Sequence, residues 1–128
     1  MMKIVVAGGR DFSDKEVAFK TLDAVINPVD IIVSGHARGA DTLGEMYAKE
    51  HGLELELYPA EWDKYGRSAG YIRNRQMAEV ADVLVAFWDG KSRGTKNMIE
   101  TAEKLKLSVF VFDYKGICQK QLINEVIL

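Results

Sequence analysis

Arginine occurs at Arg10, Arg38, Arg67, Arg73, Arg75 and Arg93, and each falls in or just after a segment that follows a short apolar run. His36 and both tryptophans, Trp62 and Trp88, fall in the same segments, whereas most lysines lie elsewhere. A guanidinium is a planar fork of donors that matches phosphate oxygens and stacks on flat rings. Arginines, tryptophans and small residues gathered this way predict a site for something phosphorylated and aromatic, provided that the fold brings the segments to one edge.

Four segments carry that expectation. Gly8-Gly9-Arg10 opens the first: the glycines admit a ligand and Arg10 holds an anion, or else Arg10 merely pairs with Asp11 or Asp14. Ser34–Asp41, SGHARGAD, is the sharpest. Its small residues allow close backbone approach, and a helix that starts there turns free N–H groups and a positive dipole end toward an oxyanion. Ser34, Gly35, His36, Arg38, Gly39 and Asp41 are its candidates, with Asp41 read alternatively as a helix cap. It fits neither GxxxxGK[ST] nor GxGxxG.

Trp62–Arg75 adds an aromatic face in Trp62, cations in Arg67 and Arg73, and a base- or ribose-reading amide in Asn74. Arg73 and Arg75, two apart on a helix, diverge, so one faces the crevice and the other does not. In Trp88–Thr95 the candidates are Trp88 for stacking, Asp89 for a ribose hydroxyl, and Gly90, Ser92, Gly94 and Thr95 as donors at a second helix start, with Thr95 as its cap. His36 and His51 do not have the spacing of a metal pair, and no metal is expected.

The positioning elements follow from periodicity. Lys3–Ala7, Asp30–Val33, Leu53–Tyr58, Asp82–Phe87 and Ser108–Phe112 read as strands, the third half-exposed. Helices follow them. The first has a capping box at Ser13 and Glu16 and an inward stripe of Ala18, Leu22 and Val25. The second runs over Gly39–Glu50 and the third from about Tyr71 to Val80, after a polar loop Pro59–Gly70. The fourth turns Met98, Ala102 and Leu105 inward. The tail reads as a last helix with Leu122, Ile123, Val126 and Ile127 on one side. Strands alternating with helices at this spacing predict one α/β domain over residues 1–128. The expected fold is a Rossmann-like three-layer sandwich with a five-stranded, mainly parallel sheet in the order 3-2-1-4-5. In that order the crevice opens between Gly8-Gly9-Arg10 and Trp88-Asp89-Gly90.

Composition narrows the function classes. A formal charge of -2 argues against a general nucleic-acid binder, and no apolar run approaches the length of a membrane span. A lone cysteine, Cys118, and an N-terminus leading directly into a strand fit a reducing compartment. The expected setting is the cytoplasm, or a host cytoplasm if the chain is virus-encoded. The edge strand and apolar tail need cover, so a homo-oligomer is expected.

Taken in order, GGRDF, SGHARGAD, EWDKYGRSAGYIRNRQM, ADVLVAFWDG and SRGT resemble the SLOG superfamily, in particular its YspA-type members. The resemblance spans nearly the whole chain. It implies a Rossmann-like domain that binds a nucleotide or a nucleotide-derived signal, ADP-ribose-like or cyclic-nucleotide-like, as a sensor or sequestering protein with no required cofactor. VSGHARGAD and IRNRQ are also similar to the phosphate loop and RNR segment of DNA-processing protein A. That likeness implies single-stranded DNA as an alternative partner, against which the acidic balance weighs. A third likeness is to the LONELY GUY phosphoribohydrolases, which cleave the N-glycosidic bond of a nucleotide with an arginine and the glutamate of GGxGTxxE. Arg73 falls at that arginine and Gly94-Thr95 match GT, but the glutamate position holds Met98. Glu100, two residues on, would point elsewhere. Hydrolysis would need Asp89, Glu61 or Asp41 as a replacement, so the expectation leans to binding rather than catalysis.

Overall fold

The computed structural model describes residues 1–124. Its central strand, β1 (Lys3–Gly8), is buried on both faces. Ile4 and Val6 point into one apolar cluster, Val5 and Ala7 into another, as the two-residue period of a strand requires. β2 (Ile31–Ser34) and β4 (Val83–Phe87) flank it in parallel and are buried along their length. β3 (Glu54–Leu57) and β5 (Ser108–Phe112) extend the parallel sheet outward. Helices α1 (Lys15–Val25) and α2 (Ala40–Glu50) bury Ala18, Leu22, Leu43 and Tyr47 on the first face. Helices α4 (Ala69–Val80) and α5 (Arg93–Lys104) bury Met77, Ala78, Met98 and Ala102 on the second.

Among the described residues the sheet has six strands, in the order β3-β2-β1-β4-β5-β6, not five. β6 (Cys118–Leu122) pairs antiparallel with β5, where a helix was expected. The reason lies in the turn before it. The Asp113 carboxylate accepts the Lys115 and Ile117 amides, both at 2.9 Å, and Gly116 takes φ 84°. That turn chemistry sends the chain back along β5 as a hairpin. Leu122 therefore lies in an exposed edge strand, Ile123 just beyond it, while Val126 and Ile127 fall outside the described residues.

Two helix starts also differ from expectation. Asp14, rather than Ser13, caps α1, accepting the Val17 amide at 3.0 Å. The Pro59–Gly70 loop is not irregular: it holds a single turn α3 (Trp62–Tyr65) and a 3₁₀ turn Gly66–Ser68, so that α4 begins at Ala69.

Gly39 fixes how β1 and α2 meet. It sits at φ 75°, and a side-chain carbon there would strike the Gly9 carbonyl and come within 2.6 Å of the Arg10 carbonyl carbon and oxygen. The Ala40 amide then donates to the Gly9 carbonyl at 3.1 Å. Gly52 has a similar φ of 66° with open space around it. Gly52→Ala is therefore expected to cost about 1 kcal/mol from backbone strain alone. Gly39→Ala, with backbone clashes added, should cost on the order of 3 kcal/mol or more. Urea denaturation of the two variants checks the difference.

Candidate functional site

The loops after β1, β2 and β4 meet where the direction of sheet growth reverses. A cavity of about 500 Å³ opens there between Gly8, Gly9 and Arg10 on one side and Asp89, Ser92 and Gly94 on the other. Arg67, Arg73, Trp62 and Tyr71 approach from the segment after β3, while Met77 and Met98 form an apolar floor. A second cavity, of about 260 Å³, shares Arg10, Ala37, Trp62 and Arg73 with the first and adds Gly35, His36 and Arg38 on one side and Pro59 and Ala60 on the other. The expected convergence is present, but only four of the six arginines take part. Arg75 and Arg93 are exposed and line neither cavity.

Among the described residues, the ion pairs use lysine or histidine and none uses arginine. Arg10 thus pairs with neither Asp11 nor Asp14. Arg73 is held without neutralisation: Nη1 donates to the Gly35 carbonyl at 2.6 Å and Nε to Asn74 Oδ1 at 3.1 Å. Burial lowers its pKa, Asp41 raises it and Arg10 adds to the lowering, yet a guanidinium remains charged throughout. A fixed, half-buried cation with free donors facing a cavity is prepared for an anion.

Asn74 has a structural task. It is buried at 6% exposure, and its Nδ2 donates to the Gly94 carbonyl at 3.3 Å and to Asn97 Oδ1 at 3.0 Å. Both amide hydrogens and the carbonyl make internal bonds that tie segments together, and the residue also lines the larger cavity. Ser34 is likewise turned inward, fully buried, donating to Glu45 at 2.8 Å and accepting the His36 amide at 3.1 Å.

The segment after β4 behaves similarly. Asp89 Oδ1 accepts the Lys91 and Ser92 amides at 2.8 Å each, and these bonds lower its pKa. The cap of α5 is Ser92, not Thr95; Thr95 is buried one turn in and its hydroxyl meets that of Ser92 at 3.1 Å. Trp88 packs on the second apolar cluster with Nε1 bonded to the Ser92 carbonyl and lines neither cavity. Trp62, at 49% exposure, lies on the rim of both and offers its ring for stacking. Gly90 and Gly39 line neither cavity, Gly39 being pressed against the β1 loop.

Glu45 was missed. It lies one helical turn after Asp41, and i,i+4 spacing puts both on the face of α2 that looks back at the loop. That spacing was the available signal. Asp41 itself is 5% exposed, lines the larger cavity and accepts the Ala37 amide at 3.2 Å. Burial raises its pKa to about 6 despite the Ala37 bond and nearby Arg73 and Arg10.

A family model described as YspA, cpYpsA-related SLOG family matches residues 2–65. The Gene 61 protein of Mycobacterium phage D29 is 31% identical over 124 residues, covering 90% of this chain and 99% of that protein. The chain belongs to the YspA, cpYpsA-related SLOG family. Its fold is similar to DNA processing protein A from Streptococcus pneumoniae, with TM-score 0.72 and 20% identity. That match covers 88% of this chain and 50% of the other. DNA processing protein A from Helicobacter pylori, in a structure concerned with its single-stranded DNA binding mode, matches with TM-score 0.67 and 19% identity over 87% of this chain and 65% of its own. The chain thus spans half to about two thirds of those proteins, and the likeness is one of fold. Among the described residues no helix is long and apolar enough to cross a membrane, and no group of three or more His, Cys, Asp or Glu could hold a metal ion.

Asp41 yields a test of the site's electrostatics. Between pH 3.8, its ordinary value, and about 6, the folded chain binds its proton more tightly than the unfolded chain. Stability therefore falls as pH rises through that window and stays lower above it, by up to about 3 kcal/mol for a shift of this size. Asp41→Asn, which keeps an acceptor for the Ala37 amide, is expected to stabilise the protein by about 1–3 kcal/mol at pH 8. The gain should shrink toward pH 4, as measured by urea denaturation at both values.

Proposed function

We propose that this protein binds a nucleotide or nucleotide-derived ligand at the C-terminal edge of its sheet and acts by sensing or sequestering it. The observation that carries the reading is the set of arginines without carboxylate partners converging on one cavity, with Arg73 locked in place by Gly35 and Asn74. The volume of about 500 Å³ lies within the range of small-molecule sites. Arg10, Arg67 and Arg73 supply donors for phosphate, Trp62 and Tyr71 supply ring faces, and Met77 and Met98 supply an apolar floor. Met98 also favours binding over N-glycosidic hydrolysis, because a thioether neither gives nor takes a proton. The phage relative supports placing this activity in a host cytoplasm.

Single-stranded DNA is the second reading. It is favoured by the two cavities sharing a wall of Arg10, Trp62 and Arg73, which makes an open groove beside an exposed ring. A strand tracking that groove would stack on Trp62, and its affinity would fall steeply with salt. A mobility shift of labelled single strands at low salt, lost as salt rises, would favour it.

A thermal-shift panel of mononucleotides, dinucleotides and ADP-ribose derivatives tests the leading reading; no stabilisation by any of them overturns it. A ligand that raises Tm should quench Trp62 fluorescence, and the quenching should vanish in Trp62→Phe. Arg73→Ala should weaken that ligand by about 10- to 100-fold, the loss expected for a charged hydrogen bond of about 1.5–3 kcal/mol. Release of free base during the incubation would reassign the site to hydrolysis.

A further inference from the structure

The two cavities differ in charge. The larger is lined by Asp11, Asp41 and Asp89 as well as by arginines. Among the described residues, the smaller has no carboxylate in its lining: Arg10, Arg38, Arg73 and His36 are its charged or ionisable side chains, beside Gly35 and Trp62. A guanidinium has donors and no acceptor. Three guanidiniums with no carboxylate within ion-pair distance form a wall complementary to an anion.

His36 is built into this wall. It occupies φ 58°, a left-handed conformation that glycine adopts freely and histidine rarely. Its ring Nδ1 lies 3.2 and 3.0 Å from the two Glu45 carboxylate oxygens. Glu45 also accepts the Ser34 hydroxyl, and that hydroxyl accepts the His36 amide. Glu45 thus holds the imidazole while Ser34 holds the His36 backbone amide, and the Glu45 carboxylate is occupied by the ring and by Ser34. With Nδ1–H given to Glu45, Nε2 is the end left for a ligand. An arrangement that places a histidine in a strained backbone and then secures its ring through Nδ1 is what a contact residue requires.

We propose that the smaller cavity is a distal-phosphate subsite. The ligand is then a nucleoside carrying a chain of two or more phosphates. The nucleoside and first phosphate lie in the larger cavity, and the next phosphate passes the shared Arg10–Arg73 wall to meet Arg38 and His36 Nε2. Its volume of about 260 Å³ falls below the usual range for a complete small-molecule site and suits a group of that size. Glu45 is a positioning residue, acting only through the His36 ring. The inference rests on the nucleotide reading above.

Calorimetric titration of the full chain with the mono-, di- and triphosphate of one nucleoside at fixed salt is the test. The di- or triphosphate should bind at least about tenfold more tightly than the monophosphate, the gain of one charged contact. His36→Gly relieves the backbone strain, so it should fold at least as well as the parent. It and Arg38→Ala should each cut that preference to under about threefold while leaving monophosphate affinity nearly unchanged. Glu45→Gln should shift the His36 ring nitrogens away from the Nδ1–H tautomer in ¹⁵N NMR spectra and reduce the preference in step. Equal binding of mono- and diphosphate by the parent chain, or a preference that survives in both His36→Gly and Arg38→Ala, overturns the subsite while nucleotide binding stands. Failure of every nucleotide, the monophosphate included, overturns both readings together.

Discussion

The site depends on the side-chain amide of Asn74. Its two hydrogens hold the Gly94 carbonyl and Asn97 at the start of α5, and its oxygen holds Arg73 Nε. Arg73 then reaches across to the Gly35 carbonyl in the loop after β2. One buried amide therefore joins three segments that approach the sheet edge from different strands. A buried amide left with an empty valence costs more than an ordinary hydrogen bond contributes, so the three segments hold their positions together or not at all. The width of the crevice and the direction of Arg73 are consequences of that one residue.

The same arrangement explains why charge at this edge is left unbalanced. In a core selected only for stability, a half-buried guanidinium would be expected to meet a carboxylate. Here Arg73 meets a backbone carbonyl and an amide oxygen, and the nearest buried carboxyl, Asp41, is itself pushed toward the protonated form by burial. Local stability is forgone where a ligand would supply the missing charge, a pattern typical of binding sites rather than of structural ones.

Much of this was legible in the chain. Strand and helix order, the crevice between the β1 and β4 loops, and the divergence of Arg73 from Arg75 follow from period and spacing, because those quantities are local. What was not legible shares a cause. Asn74, Ser34 and Trp88 have the residue types of ligand contacts, but each also bonds a partner 20, 11 or 4 positions away, and composition alone does not reveal those partners. The sixth strand was missed because its residues are polar and exposed on an edge, where neither the two-residue apolar period nor burial marks a strand. Its signal lay instead in Asp113 and Gly116, the residues that make the turn.

Fold likeness near 20% identity fixes the frame of such a domain but leaves its chemistry to a few positions. Two positions in this chain have physical consequences of their own. Met98 lines the larger cavity, beside Asp41 and Asp89, with a side chain that cannot exchange a proton. His36 carries an imidazole where the backbone would accept glycine more readily, and Glu45 is spent on orienting it. Orientation is thus built into the wall of the smaller cavity, which is what the proposed extended anionic ligand would require of it.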